Sequence, residues 1–242
     1  LKPADTQKEL KNCPMNKPIQ SPKFVRSFGR IKSRKLSDHK KHLFSDLLPN
    51  YQISEQSIAE LKNNQGKIYL EIGFGFGDFL FENAKNNPDI LFIGCEPHIN
   101  GVVNLLAKLE IEPLKNIRIF VGDNRLLLEQ AVDKIFEKIY ILFPDPWPKS
   151  KHHKRRLINT QFLELLHAKT TANAELIIAT DADGYKEWIM KEYLASRLWN
   201  WEVNCAADWK NFPADWVKTK YQKKAEIAGR ENVFLRFARK NS

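Results

Sequence analysis

The 242 residues are 43% hydrophobic and 28% charged, the mix of a globular domain rather than a disordered chain. No apolar run nears the roughly 18 residues of a membrane span, and the polar, mixed-charge stretch Leu1–Leu10 is not a secretory signal. Cys13, Cys95 and Cys205 are scattered and lack C-x-x-C spacing, which argues against a disulfide framework and a structural zinc site and for a reducing cytoplasm.

The net charge is +10, and residues 1–41 hold 12 Lys/Arg against 3 Asp/Glu while the rest of the chain holds 27 against 26. Nearly all the excess is therefore in a weakly patterned, Pro-containing extension that cannot bury enough apolar surface to order itself. The expected division is a basic, flexible extension over 1–41 and one α/β domain over 42–242. A solvated tail, a localisation signal around Lys32–Lys35 and an arm following a phosphate backbone all fit the extension.

Lys67–Ile72 is the first strand-like run, and Glu71-Ile-Gly-Phe-Gly-Phe-Gly-Asp78 closes it. Glycines at 73, 75 and 77 let the backbone turn sharply and approach a ligand closely before a helix opens near Asp78. A dinucleotide fingerprint needs glycine where Asp78 stands, so the loop favours a ligand without a pyrophosphate. Ile90–Cys95 is the second run and ends in Glu96, 23 residues after Gly73, placed to accept from both hydroxyls of a ribose.

Val102, Leu105, Leu106 and Leu109 then share one helical face. The third run, Ile117–Val121, leads to Asp123, placed for an adenine edge or for a helix N-cap. A Gly-rich loop, an acid and an acid on three consecutive strand ends point to an adenosyl group. Leu128, Ala131, Val132 and Ile135 predict a further helix.

The fourth run, Lys138–Phe143, ends in the most specific string of the chain, Phe143-Pro-Asp-Pro-Trp-Pro-Lys149. Alternate prolines stiffen it in extended form and hold Asp145 and Trp147 at the crevice mouth. A flat aromatic beside a carboxylate suits a nucleobase, stacked on one side and hydrogen-bonded at its edge. Lys149, Lys151, Lys154, Arg155 and Arg156 follow as phosphate contacts. His152 and His153 have no third ligand in reach, which favours solvent or phosphate contact, and no metal is assigned.

Phe162, Leu165 and Leu166 mark the next helix, Ala174–Thr180 the fifth strand, and Tyr185, Trp188, Ile189 and Tyr193 the helix after it. Beyond Trp199 the segments shorten, with a last strand at Val233–Arg239. Strands alternating with helices predict βαβ crossovers and a parallel sheet, with ligands outside the carboxyl ends of its strands.

The glycine loop after Glu71, the Phe-Pro-Asp-Pro-Trp-Pro-Lys string with His-His-Lys-Arg-Arg, Thr180-Asp181 and Thr219-Lys220-Tyr221 occur in one order over roughly residues 24 to 239. Together they resemble the tRNA (guanine-N7-)-methyltransferase family. The resemblance implies a Rossmann-like methyltransferase fold, a mostly parallel seven-stranded sheet with helices on both faces. It implies transfer of a methyl group from S-adenosyl-L-methionine to N7 of guanine 46 in the variable loop of tRNA. Glu71, Glu96, Asp123 and Asp145 match the family's cofactor positions, with Asp145 also its proposed catalytic residue. Lys149, Asp181 and the segment from Thr219 match its RNA contacts. No membrane and no obligate protein partner are implied.

One departure stands out: where the family continues Thr-Lys-Phe/Tyr with Glu, this chain has Gln222, and Ala225 replaces a nearby glycine. Guanine's N1–H and N2–H₂ suit a carboxylate, and an amide oxygen takes only one of them. Either Asp181 holds that donor edge, or Gln222 lies at the surface and reads nothing. Guanine N7 carries a lone pair and no proton, so the reaction needs in-line placement rather than a general base, with Asp145 orienting the base and stabilising its developing charge. Two other classes remain open: a non-catalytic RNA-binding module, and an NAD-dependent oxidoreductase sharing the sheet and Glu96.

Overall fold

The computed structural model describes residues 35–211, 216–218 and 220–241; the expectations for residues 1–34 and for Thr219 lie outside the described residues. Seven strands form one sheet: β1 Ile68–Ile72, β2 Leu91–Cys95, β3 Ile117–Phe120, β4 Phe136–Leu142, β5 Thr170–Thr180, β6 Trp199–Trp201 and β7 Val233–Arg239. Their order is β3-β2-β1-β4-β5-β7-β6. The first five are parallel, and β7 runs antiparallel to both β5 and β6. Chain order reverses between β1 and β4, which opens a crevice at their carboxyl ends.

The helices are α1 Asp38–His42, α2 Glu55–Glu60, α3 Asp78–Asn86, α4 Ile99–Ile111, α5 Asn124–Gln130, α6 Thr160–Lys169, α7 Asp183–Ser196, α8 Ala207–Lys210 and α9 Lys220–Ile227. Alternate strand residues feed two sides. Leu70, Ile72, Ile93, Ile139, Ile141 and Ile178 pack with α2, α5, α6 and α7. Phe92 and Ile119 pack with α3 and α4 on the opposite face. Val102, Leu105, Leu106 and Leu109, the stripe read from the sequence, are all fully buried. Each contributes roughly 1.5–3 kcal/mol, enough to fix α4 against the sheet.

Residues 38–41, placed in the extension by the sequence reading, lie in α1: Ser37 caps it, and Lys40 Nζ donates to Asn104 Oδ1 of α4 at 3.2 Å. The helix read through Ile135 stops at Gln130, because Ala131 and Phe136 enter the core as the chain turns into β4. The short strand β6 pairs at the sheet edge through only three residues, too few for a period-2 pattern. Among the described residues no helix is long and apolar enough to cross a membrane.

Candidate active site

At the reversal point lies a cavity of about 580 Å³ lined by the ends of β1, β2 and β4 and by the loops that follow. Gly73, Gly75 and Gly77 all have positive φ, of 75°, 57° and 73°. A Cβ on Gly73 would meet nothing within 4 Å, so this bare backbone faces open cavity space. Gly101 at the start of α4 is needed for a different reason: its Cβ would lie 2.3 Å from the Gly75 carbonyl, so a side chain there would push the helix off the loop. Asp78 opens α3 and pairs with Lys108 of α4 at 2.8 Å, tying together the two helices beside the loop.

Glu96 follows β2 and is 8% exposed. Its Oε2 accepts from the Gly75 amide at 2.8 Å and its Oε1 from the His98 amide at 2.9 Å, so the carboxylate is fixed before any ligand arrives. Burial pushes its pKa up, opposed by these two amides. Asp123 is the helix N-cap, one of the two roles the sequence allowed. Its Oδ1 caps α5 through the Arg125 amide at 2.9 Å and meets Arg125 Nε at 3.1 Å, and the residue also lines the cavity. Glu71 is absent from the lining. It is buried in β1, and burial, then the charges of Glu96 and Asp78, push its carboxyl up to about 8.

The opposite wall is the loop after β4. Phe143 still pairs with β5, its amide donating to the Ala179 carbonyl at 2.8 Å, but its φ is 53°. Trp147 has φ 41°. Such left-handed backbone in bulky residues costs on the order of 1–3 kcal/mol each and marks sites where geometry is selected over stability. Between them Asp145 is exposed at the cavity mouth. The Arg155 guanidinium stacks over the Trp147 ring at 4.9 Å, and His152 meets that ring edge-on.

Lys149, Lys151 and Lys154 are exposed around the short 3₁₀ helix Ser150–Arg155, while His153 packs edge-on to Trp188 of α7. Arg156 leaves this basic face: it is 6% exposed and turned inward. Asp181, just past β5, pairs with Arg230 at 2.7 Å. Gln222 is neither a surface residue nor open to a base. It is fully buried, accepting from Trp216 Nε1 at 2.7 Å and donating to Glu226 Oε1 at 3.1 Å. Trp216 in turn packs on Phe79 of α3 and Phe234 of β7, so this amide fastens α9 to the body.

A family model described as "Putative methyltransferase" matches residues 65–235. The chain is 45% identical over 173 residues to a tRNA (guanine-N(7)-)-methyltransferase of Wolbachia pipientis wMel, covering 71% of this chain and 76% of that relative. It is 37% identical over 227 residues to the protein of the same name from Caulobacter vibrioides, covering 93% of this chain and all of that relative. The chain belongs to the tRNA (guanine-N7-)-methyltransferase family. A crystal structure of the 16S rRNA methyltransferase KamB shares the fold of this methyltransferase, with a TM-score of 0.56 at 14% identity over 78% of this chain and 95% of that one.

Of the residues read from the sequence, the enzyme gathers Gly73, Gly75, Glu96, Asp123, Asp145, Trp147 and Arg155 around one cavity. Glu71, Gly77, Lys149, Lys151, His152, His153, Lys154, Arg156, Asp181 and Gln222 lie outside its lining. Lys220 and Tyr221 begin α9. Sequence reasoning missed His98, Asn100, Asn124 and Arg125, which also line the cavity. Each lies within four residues of a strand-end acid, and extending the strand-end rule by one helical turn finds them.

Proposed function

We propose that this enzyme moves the methyl group of S-adenosylmethionine to N7 of guanine 46 in tRNA. The observation that carries the reading is the meeting of Glu96, Asp123, Asp145 and Trp147 on one cavity at the sheet's reversal point. The cavity volume falls in the range of small-molecule sites, and the open space over Gly73 leaves room for a ligand against bare backbone. Each Glu96 oxygen spends one lone pair on an amide and keeps another for a ribose hydroxyl. Asp123 is offered to the adenine edge. When bound, the group supplies a methyl on a cationic sulfonium, and three carboxylates in the lining suit that charge.

The chain's own part is placement. Guanine N7 has an in-plane lone pair and no proton, so no residue has to act as a base. Trp147 offers a flat face to the purine and Asp145 offers negative charge at the mouth, where the base becomes cationic as the methyl arrives. Lys149, Lys151 and Lys154 take the neighbouring phosphates. A cytoplasmic place of action fits a tRNA substrate. The test is methyl transfer from labelled S-adenosylmethionine to unmodified total tRNA, with the nucleoside and its position identified. N7-methylguanosine at position 46 is expected. A methyl elsewhere, or stabilisation by NAD and not by S-adenosylmethionine, overturns the reading.

A further inference from the structure

Five cations follow Pro148, and in sequence Arg156 is indistinguishable from its neighbours. In the fold it is set apart. Its Nε donates to the Pro146 carbonyl at 2.9 Å and its Nη1 to the Gly184 carbonyl at 3.4 Å. The same guanidinium lies 4.9 Å from the Trp188 ring and 5.2 Å from the Tyr185 ring. That platform is itself fixed: the Tyr185 hydroxyl accepts from the Ile158 amide at 3.3 Å, and Trp188 Nε1 donates to the Ile158 carbonyl at 2.7 Å. Pro146 sits between Asp145 and Trp147, inside the segment bounded by the two positive-φ residues. A loop with such backbone relaxes unless its surroundings over-determine it.

We propose that Arg156 is a positioning residue for Asp145, acting through the Pro146 carbonyl to hold the 143–147 loop in its strained shape against α7. This rests on the reading of Asp145 as the carboxylate at the reacting base. Arginine suits the task because a planar fork reaches two carbonyls while its central carbon lies over two rings; an ammonium keeps the charge but loses that geometry. Arg156 is thereby withdrawn from the phosphate contacts, which remain with the exposed lysines.

The test is single-turnover methyl transfer at saturating tRNA and S-adenosylmethionine for R156K, R156A, D145N and the double variant D145N/R156K, with the salt dependence of tRNA binding measured alongside. Misplacing a reacting group by about an ångström costs on the order of 100-fold in rate. R156A is expected to lose about that much and R156K about 10-fold, with millimolar guanidinium restoring part of the R156A rate. In the D145N background, R156K should cost nothing further, and the salt slope of tRNA binding should match wild type. If R156A does not fold, R156K and the double variant decide. An undiminished R156K rate with D145N impaired overturns the proposal alone, as does an equal loss from R156K in both backgrounds or a reduced salt slope for R156K. Full activity of D145N overturns the reading of Asp145 and this proposal together.

Discussion

On the β1–β3 side of the cavity, Glu96 and Asp123 hold backbone amides with the same carboxylates that line the cavity, and positive φ is confined to glycines. On the β4 side, Phe143 and Trp147 take positive φ without being glycine, Asp145 is exposed, and the loop is tied down from behind by Arg156. The first wall fixes the backbone and lines the cavity with the same carboxylates. The second costs backbone energy and is held by contacts to β5, to Arg155 and, through Arg156, to α7. The difference matches the proposed roles: a binding surface can be built from relaxed structure, whereas a wall proposed to aim one carboxylate at one atom is held against its own preference.

The largest effect should come from the strained wall. Asp145→Ala is expected to slow single-turnover methyl transfer by about 10²–10³-fold, the range for removing one preorganised electrostatic group, with an unchanged melting temperature because the side chain is exposed. A near-normal rate would erase the functional difference between the walls. On the relaxed wall, Glu96→Ala should weaken S-adenosylmethionine by about 1.5–3 kcal/mol for a lost charged hydrogen bond, roughly 10- to 100-fold in Kd by calorimetry. The same variant should lower the melting temperature, because the Gly75 and His98 amides lose their acceptor.

Behind the first wall, Glu71 is buried in β1, where its charge is costly. Its folded pKa of about 8 lies above the unfolded value, so between about pH 4.5 and 8 the folded chain binds more protons than the unfolded one. Stability therefore falls as pH rises through that window and levels off above it. Glu71→Gln removes the dependence. Its melting temperature relative to wild type should climb between pH 5 and 8.5 by roughly 10 °C, since a shift of this size is worth about 4 kcal/mol over that range at about 2–4 °C per kcal/mol for a chain of this size. A constant difference across pH means that Glu71 is ionised when folded. The smallest effect belongs to the outer rim: Lys151→Ala with Lys154→Ala should reduce the log–log salt slope of tRNA binding by about 1.4–1.8, leaving S-adenosylmethionine affinity alone. An unchanged slope moves the phosphate path to other cations.

What the sequence made legible divides along the same line. Parallel strands buried on both faces read as apolar runs, and acids at their ends were found because open sheets put ligands there. Glycines with positive φ announce themselves by being glycine. The strain at Phe143 and Trp147 has no such marker, since the prolines around them indicate rigidity and not the sign of φ. Arg156 looked like Lys154 because burial of one cation in a basic run depends on α7 arriving from almost 30 residues away. Gln222 was illegible in the same manner: of the alternatives the sequence left open, the surface one fails because Trp216 and Glu226 enclose its amide. A carboxylate at 222 would face Glu226, so Gln222→Glu should loosen α9. The read-through of a helix to Ile135 failed because apolar spacing continues unbroken from α5 into β4.

The division of labour between the walls is tested most directly by the single-turnover rate of Asp145→Ala and Glu96→Ala side by side, each at saturating tRNA and S-adenosylmethionine. Such a division requires a slow Asp145→Ala enzyme and a Glu96→Ala enzyme within a few-fold of wild type once its weaker binding is overcome. Equal slowing of both, or a slow Glu96→Ala enzyme beside an unimpaired Asp145→Ala one, would contradict it.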